Sequence, residues 1–296
     1  MYHYIKKAPQ QKFKNLKYLS KSIFVEQIRQ ISNSKQHVYN YGEFIEESKK
    51  SNYSAKPGWL LTFDDGLNDH HSVVADILDD FNLPAIFFIS TGHLNGEFLR
   101  VHLIQYLIGS FDNDKQFVDF ITHFIGENHL YRTININISD NRWDSPDINK
   151  IKFFLQTTLS KENSLDLLKY MFEERGITLN QNLHSKIYLN PRQIMDLSRN
   201  FTIGLHSHYH DRFSELTLFE IKNDLILNIG NLESYKLNLT NSIPLALPYG
   251  SVSKASIRQV YKDLNISHVF TTEPKEFEFE DNFSIPRFDC NDFNKL

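Results

Sequence analysis

The chain has 296 residues, of which 41% are hydrophobic and 23% charged, and a formal net charge of −4. This is ordinary globular composition and excludes a fibrous or largely disordered protein. The slightly negative charge argues against a nucleic acid as the main partner, because duplex-binding domains usually carry a basic face.

The single cysteine, Cys290, excludes an intramolecular disulfide. No apolar run approaches the roughly 20 residues that a transmembrane helix needs, and Met1–Pro9 lacks the apolar core of a signal peptide. We therefore expect a cytoplasmic protein without a transmembrane segment.

Short apolar runs, each ending at polar or reactive residues, predict strands that are buried on both faces. In chain order they are 59–63, 85–89, 202–205, 243–247, 268–270 and 283–286. Helical periodicity follows at 72–81, 217–232 and 253–264, and Thr217 with Glu220 predicts a capping box. Strands alternating with helices indicate a parallel α/β architecture.

The middle of the chain has a different pattern, largely helical and polar. Helical periodicity covers 99–108, 117–125, 151–159 and 164–174, and alternation at 134–138 predicts a short strand. We predict a single domain, 1–296, carrying a mainly helical insertion at about 97–191 that forms a cap or lid. The alternative is that this region supplies ordinary barrel helices.

Two adjacent carboxylates, Asp64 and Asp65, directly follow the first of these buried strands. The carboxyl ends of parallel strands meet at one face, and neighbouring residues at a strand end point in different directions. One carboxylate could thus bind a metal while the other faces the substrate. A simple turn is the alternative, because Asp and Gly favour turns.

His206, His208 and His210 fall within five residues. On a helix, His206 and His210 would share one face and could chelate a cation, with His208 pointing elsewhere. Neutral imidazoles suit zinc, cobalt, nickel or iron. With one Asp they would form an open metal site that activates water, and a second carboxylate could take the proton of that water. The predicted reaction class is metal-assisted hydrolysis of an amide or ester, and a structural role for the histidines is the alternative.

The segment Thr62–Gly66 (Thr-Phe-Asp-Asp-Gly) followed by His206-Ser-x-x-His210 resembles motifs of the polysaccharide deacetylases with the NodB homology domain, carbohydrate esterase family 4. The resemblance implies a distorted (β/α)7 barrel. It also implies that Asp64 is the general base and that Asp65, His206 and His210 bind one divalent metal, most simply zinc.

The segment Leu247–Gly250 resembles the third family motif, which implies that a backbone N–H near Tyr249 helps form the oxyanion hole. Many members have an arginine there that orients the base, but the matching residue in this chain is Ala246. Arg287, after the last predicted strand, is a candidate replacement for that charge. The alternative is a surface or structural arginine.

The family's C-terminal histidine motif is missing, but the start of the chain, Met1-Tyr-His-Tyr, resembles the Tyr-His start of the biofilm-polysaccharide deacetylases, in which the barrel is permuted. The resemblance makes His3 the candidate general acid, with a frayed terminal histidine as the alternative. His93 and His102 are predicted to be structural.

The predicted function is removal of an N-acetyl group from an amino sugar or surface-polysaccharide precursor, in a bacterial cytoplasm. The substrate partner would be an N-acetylated sugar or glycan, and the oligomeric state is left open. One alternative is a hydrolase of another amide, a formamide or an O-acetyl ester on the same fold. Another is a non-catalytic carbohydrate-binding relative.

Overall fold

The computed structural model describes residues 1–8, 10–50, 56–126, 128–134, 144–237, 239, 241–250, 257–277 and 281–295. Most of the predicted strand at 134–138 and the first four residues of the predicted helix at 253–264 lie outside these ranges. The chain forms two compact units. The sheet unit comprises Met1–Lys7, Tyr18–Glu97 and His184–Leu296, and the helical unit comprises Ala8–Lys17 and Phe98–Leu183.

All strand pairs of the described residues are parallel, as the buried apolar runs predict. The main sheet has five strands in the order β5-β6-β7-β8-β9, and β1-β2 and β3-β4 form two small sheets. The strands are β1 Ile5–Lys6, β2 Leu19–Ser20, β3 His37–Val38, β4 Gly58–Trp59, β5 Thr62–Phe63, β6 Ile86–Ile89, β7 Thr202–Leu205, β8 Ile243–Ala246 and β9 Ile266–Phe270.

Single bridges extend the main sheet at both edges. Tyr2 pairs with Phe63 of β5, and Ile285 pairs with Phe270 of β9. The predicted strand at 283–286 is therefore reduced to one bridge. The backbone N–H of Cys290 donates to the Met1 carbonyl (3.1 Å), so the two edge segments meet and the sheet curls towards closure.

Helices connect the strands of the sheet unit and make up most of the helical unit. In chain order they are α1 Lys21–Asn33, α2 Tyr41–Ser48, α3 Ala75–Asp80, α4 Arg100–Gly109, α5 Asp114–Ile125, α6 His129–Arg132, α7 Pro146–Phe153, α8 Lys161–Glu174, α9 Gln181–Ile187, α10 Pro191–Leu197, α11 Leu218–Ser234 and α12 Ile257–Asp263. No helix in the described part of the chain has both the length and the apolar character needed to cross a membrane.

The periodicity predicts α3, α4, α5, α8, α11 and α12 to within a few residues. The predicted range 151–159 lies later in the chain than α7, and α1, α2, α6, α9 and α10 were not predicted. The capping box of α11 is present, with Thr217 and Glu220 exchanging hydrogen bonds as predicted. The predicted helix at 72–81 differs in detail, because a π-helical turn at His70–Val74 precedes α3. π-Turns inside helices often occur at functional sites.

An aromatic stack supports the point where β5 ends. The Phe63 ring stacks on Phe87 with centroids 5.0 Å apart and on Tyr2 with centroids 5.1 Å apart. Phe63 and Phe87 are fully buried. Each such ring contributes about 1.5–3 kcal/mol by burial. The stack thereby ties the N-terminal segment to the strand that carries Asp64.

Candidate active site

The carboxylates of Asp64 and Asp65 lie at the carboxyl end of β5, and both residues are buried. The Asp64 N–H donates to the Tyr2 carbonyl (2.9 Å). Asp65 and Gly66 have φ angles of 84° and 74°. A left-handed conformation at a non-glycine residue costs about 1–2 kcal/mol, and such residues cluster at active sites. The segment is thus a turn, as the alternative reading of the sequence proposed, and it also directs both carboxylates into the site.

Asp65, His206 and His210 form one buried cluster. The Asp65 Oδ1 lies 3.1 Å from Nε2 of His206 and 3.1 Å from Nε2 of His210. One potential ligand atom from each residue lies within 4.8 Å of the other two. Ligands of a tetrahedral zinc, at about 2.0–2.2 Å from the ion, are separated by roughly 3.3 Å. The spacing of the three side chains therefore fits a metal of this size.

The hydrogen bond made by the His206 Nδ1 is also consistent with a cation bound at the Nε2 of the same ring. Its Nδ1 lies 2.8 Å from the Ala246 carbonyl oxygen, which can only accept, so Nδ1 carries the proton. In the neutral imidazole, Nε2 then directs a lone pair at the Asp65 carboxylate. Two lone pairs at 3.1 Å repel unless a cation or proton lies between them. Metal-binding histidines typically donate their other ring N–H to a carbonyl in this way.

The two histidines reach the cluster from a loop, so the prediction that they would share a helix face is wrong. Ser207 and His210 have φ angles of 66° and 60°, which a helix does not allow. The Ser207 Oγ accepts from the His210 N–H (3.0 Å) and closes the loop. The loop brings the rings of His206 and His210 to a centroid separation of 4.8 Å.

Arg287 contacts Asp64 at two points, with Nη1–Oδ1 at 2.8 Å and Nη2–Oδ2 at 2.7 Å. It is buried, so the alternative of a surface arginine is wrong. Its Nη1 also lies 3.2 Å from the Thr62 Oγ1, and its Nε donates to the Thr271 carbonyl. Burial alone would raise the pKa of the Asp64 carboxyl, but the charge and hydrogen bonds of Arg287, together with the nearby His206 and His3, outweigh burial and hold this pKa well below its usual range. Asp64 is therefore an ionised, oriented carboxylate.

The imidazole of His3 lies beside the same carboxylate, with its Nε2 4.0 Å from the Asp64 Oδ2. Its side chain is 35% exposed, so it faces both the site and solvent. The backbone of this segment is held in place, because the Tyr2 N–H donates to the Thr62 carbonyl and the His70 Nε2 lies 3.1 Å from the His3 carbonyl oxygen. His3 is thus an ordered residue at the site.

Tyr249 lies next to the cluster of Asp65, His206 and His210. Its ring centroid is 5.0 Å from that of His210, and the Arg212 guanidinium lies 4.5 Å above the tyrosine ring. Tyr249 and Gly250 have φ angles of 59° and 60°. A Cβ at Gly250 would lie 2.6 Å from the Thr272 backbone nitrogen, so only glycine fits this tight turn.

The other histidines singled out in the sequence have structural surroundings. His93 is buried and stacks on the Tyr188 ring (4.7 Å, 4°). His102 is buried in the helical unit. His208 is buried, and its Nδ1 lies 2.9 Å from the Thr91 Oγ1.

The sequence patterns missed three residues around the site. His70 contacts the His3 carbonyl, Asp224 accepts hydrogen bonds from the backbone N–H groups of His208 and Tyr209, and Asn228 contacts the His206 N–H. A signal existed for the last two, because they are polar residues four apart on the buried side of an otherwise amphipathic helix. Polar side chains on such a face need partners, and these partners are the backbone of the histidine loop.

Known proteins match the chain at the level of a family profile and of the overall fold. A sequence profile of the polysaccharide deacetylase family matches residues 51–109, which include Asp64 and Asp65. No curated protein is significantly similar in sequence.

Several solved structures share the fold. The Streptococcus pyogenes deacetylase PplD, in complex with acetate, gives a TM-score of 0.59 at 14% identity, over 97% of this chain and 89% of that one. IcaB from Ammonifex degensii gives 0.55 at 14% identity, over 99% and 93%. A de-N-acetylase from Aggregatibacter actinomycetemcomitans gives 0.53 at 12% identity, over 97% and 92%.

At these identities the structural likeness establishes the fold, and it confirms the predicted distorted α/β barrel of the NodB type. The profile match at 51–109 and the shared fold agree with the resemblance to the deacetylases with the NodB homology domain that the sequence motifs indicated. The profile match supports deacetylation of a polysaccharide as a candidate activity.

Proposed function

We propose that the chain is a metal-dependent hydrolase that removes an N-acetyl group from an amino sugar of a surface polysaccharide or its precursor. The observation that carries this proposal is the buried cluster of Asp65, His206 and His210 directly beside the Asp64–Arg287 pair. Two imidazoles and one carboxylate leave coordination positions open for water and substrate. An unligated carboxylate at the edge of such a site supplies the base that hydrolysis requires.

A divalent cation held by these three side chains, zinc in our proposal with cobalt, nickel or iron as substitutes, would polarise an amide carbonyl and make water more acidic. Asp64 then accepts the proton of the attacking water. The two hydrogen bonds from Arg287 keep this carboxylate ionised and fix its orientation. Because Asp64 is adjacent in sequence to Asp65, the base and the metal ligand share one rigid turn.

His3 is proposed to protonate the leaving nitrogen. An amine leaves an amide only after protonation, because its anion is too basic to depart. The His3 Nε2 lies 4.0 Å from the Asp64 Oδ2, so one residue can give a proton close to where the other receives one. Water adds to the carbonyl carbon, the C–N bond breaks, and the products are acetate and a free amino sugar.

The turn at Tyr249 is proposed to stabilise the developing oxyanion through its backbone N–H. Preorganised N–H donors at such a position typically contribute about 3–4 kcal/mol to the transition state. The left-handed conformation of Tyr249 and Gly250 fixes this turn beside His210.

Product analysis on the zinc-loaded protein tests which bond is cleaved. We expect N-acetylated oligosaccharides to give equal amounts of acetate and free amine, with little release from N-formyl or O-acetyl analogues. Preferential release from either analogue would identify a different hydrolase on the same fold. No release from any substrate by fully zinc-loaded protein would identify a non-catalytic carbohydrate-binding relative.

A further inference from the structure

We infer that Asp224 and Asn228, one turn apart on α11, are positioning residues that hold the two metal-binding histidines in place. The segment they hold, His206–His210, is called the ligand loop below. This inference rests on the proposed metal site and adds two residues that do not touch the metal or substrate.

Asp224 fixes the middle of the ligand loop. Asp224 is only 5% exposed. Its Oδ1 accepts a hydrogen bond from the His208 N–H (2.8 Å), and its Oδ2 accepts one from the Tyr209 N–H (3.0 Å). The Ser207 hydroxyl also hydrogen-bonds to this carboxylate. One buried carboxylate thus organises three successive residues of the loop.

Asn228 fixes the beginning of the loop and joins it to the neighbouring strand. Its Oδ1 accepts from the His206 N–H (3.1 Å). Its Nδ2 donates to the Ile89 carbonyl and to the Thr91 Oγ1, both at 3.0 Å. The side chain is fully buried, and its amide connects the ends of β6 and β7.

The network continues to the central histidine. The Thr91 Oγ1 accepts from Asn228, so its hydroxyl proton is free to be donated to the His208 Nδ1 at 2.9 Å. The His208 carbonyl in turn accepts from the Gly92 N–H (2.8 Å). His208 is therefore held by the segment that follows β6, and its side chain does not join those of His206 and His210 beside Asp65.

The loop needs this support because its backbone is strained. Ser207 and His210 both adopt left-handed φ angles, which cost about 1–2 kcal/mol each for non-glycine residues. Burying a carboxylate and an amide on the core-facing side of α11 is also costly unless both are fully hydrogen-bonded. Here every bond that Asp224 and Asn228 make to backbone N–H groups falls within the ligand loop. The polar pair therefore serves the geometry of the two histidines.

The test is the zinc affinity of Asp224→Asn, measured on metal-free protein by competition with a chromogenic chelator. The amide keeps one acceptor oxygen but cannot accept from both N–H groups. We expect zinc binding to weaken by roughly 10- to 100-fold, as for other residues that orient metal ligands. Asn223→Asp, the opposite change at the adjacent exposed position, is the matched control and should bind like wild type.

Asn228→Asp provides a second, independent variant. It keeps the acceptor for the His206 N–H and loses both donated hydrogen bonds, so it should also weaken zinc binding. Visible spectra of cobalt-saturated samples add a readout that a merely structural role would not move, since band positions report ligand geometry. We expect shifted bands in both variants.

The possible outcomes separate this inference from the proposed function. Wild-type zinc affinity and unchanged cobalt bands in both variants, even with lower thermal stability, would overturn the inference while leaving the metal site intact. Failure of the wild-type protein to bind zinc or cobalt at all would contradict the metal site and this inference together.

Discussion

Arg287 and Asp64 form a buried, two-point ion pair across 223 positions of sequence, with hydrogen bonds of 2.8 and 2.7 Å. The arginine comes from the segment after β9, beside the edge of the sheet, whereas the carboxylate ends β5. In the family resemblance, the arginine that orients the base belongs to the third motif, where this chain has Ala246. In this chain the positive charge beside the proposed base comes instead from Arg287, which follows β9.

Removing Arg287 should cost stability, because Asp64 would then be a buried charge without its partner. We expect Arg287→Met to lower the free energy of unfolding by about 3–5 kcal/mol. Adding Asp64→Asn to this variant should restore part of the loss, since the uncompensated charge disappears. Chemical denaturation of the three proteins measures both effects. Arg258→Gln, which breaks an exposed ion pair with Asp281, is the matched control and should change stability by less than about 1 kcal/mol.

Metal binding and turnover should separate in two variants of the site. Asp64→Asn should retain stoichiometric zinc but lose nearly all turnover, because the proposed base is gone and the ligands remain. His206→Ala should lose zinc as well as turnover. Elemental analysis and acetate release check both outcomes. Full turnover in the first variant, or full zinc content in the second, would show that these roles are assigned to the wrong residues.

The proposed role of His3 predicts a dependence on the leaving group. His3→Gln should lower kcat for N-acetyl sugars by roughly 10²–10⁴-fold, the usual contribution of a general acid. The defect should be much smaller for an activated aryl acetate, whose phenolate leaves without protonation. His37→Gln, at an exposed position, serves as the control. An equal loss for both substrates would argue against proton donation by His3.

Acid sensitivity should come in part from His268. Burial lowers the pKa of this histidine to about 4 from an ordinary value of 6.5. As the pH falls, the unfolded chain therefore takes up this proton before the folded chain does. The contribution of neutral His268 to the free energy of unfolding is complete above pH 6.5 and is lost progressively towards pH 4. The contribution is about 3 kcal/mol at most.

The measurement is the free energy of unfolding of wild type and His268→Gln between pH 7 and 4. The variant should show a shallower decline over this range. Its lost hydrogen bonds to Tyr41 and Ser48 lower stability at every pH and do not affect the slope. Identical slopes in the two proteins would contradict the lowered pKa of His268.

Much of the fold follows from local sequence. The apolar runs before Asp64 and His206 predict buried parallel strands, because a short strand covered on both faces has a nearly continuous apolar sequence. Thr217 and Glu220 mark the start of α11, since a capping box satisfies the free N–H groups of the first turn. The strand at 283–286 was overpredicted, because a short apolar run at a sheet edge needs only one bridge to be buried.

Sequence patterns predict less of the site wherever it depends on contacts between residues that are far apart in the sequence. Adjacent carboxylates and spaced histidines identify Asp65, His206 and His210 by pattern, and the structure brings these residues together. The contact of Arg287 with Asp64 depends on how the sheet curls, which no local pattern encodes. The loop conformation of His206 and His210 was missed because a spacing of four also fits a helix.

The most direct test of the metal-dependent deacetylase is acetate release from N-acetylated oligosaccharides before and after metal removal. We expect dialysis against a chelator to abolish release and one equivalent of zinc per chain to restore it. We expect no restoration in His206→Ala. Undiminished acetate release from metal-free protein would contradict the proposed metal dependence.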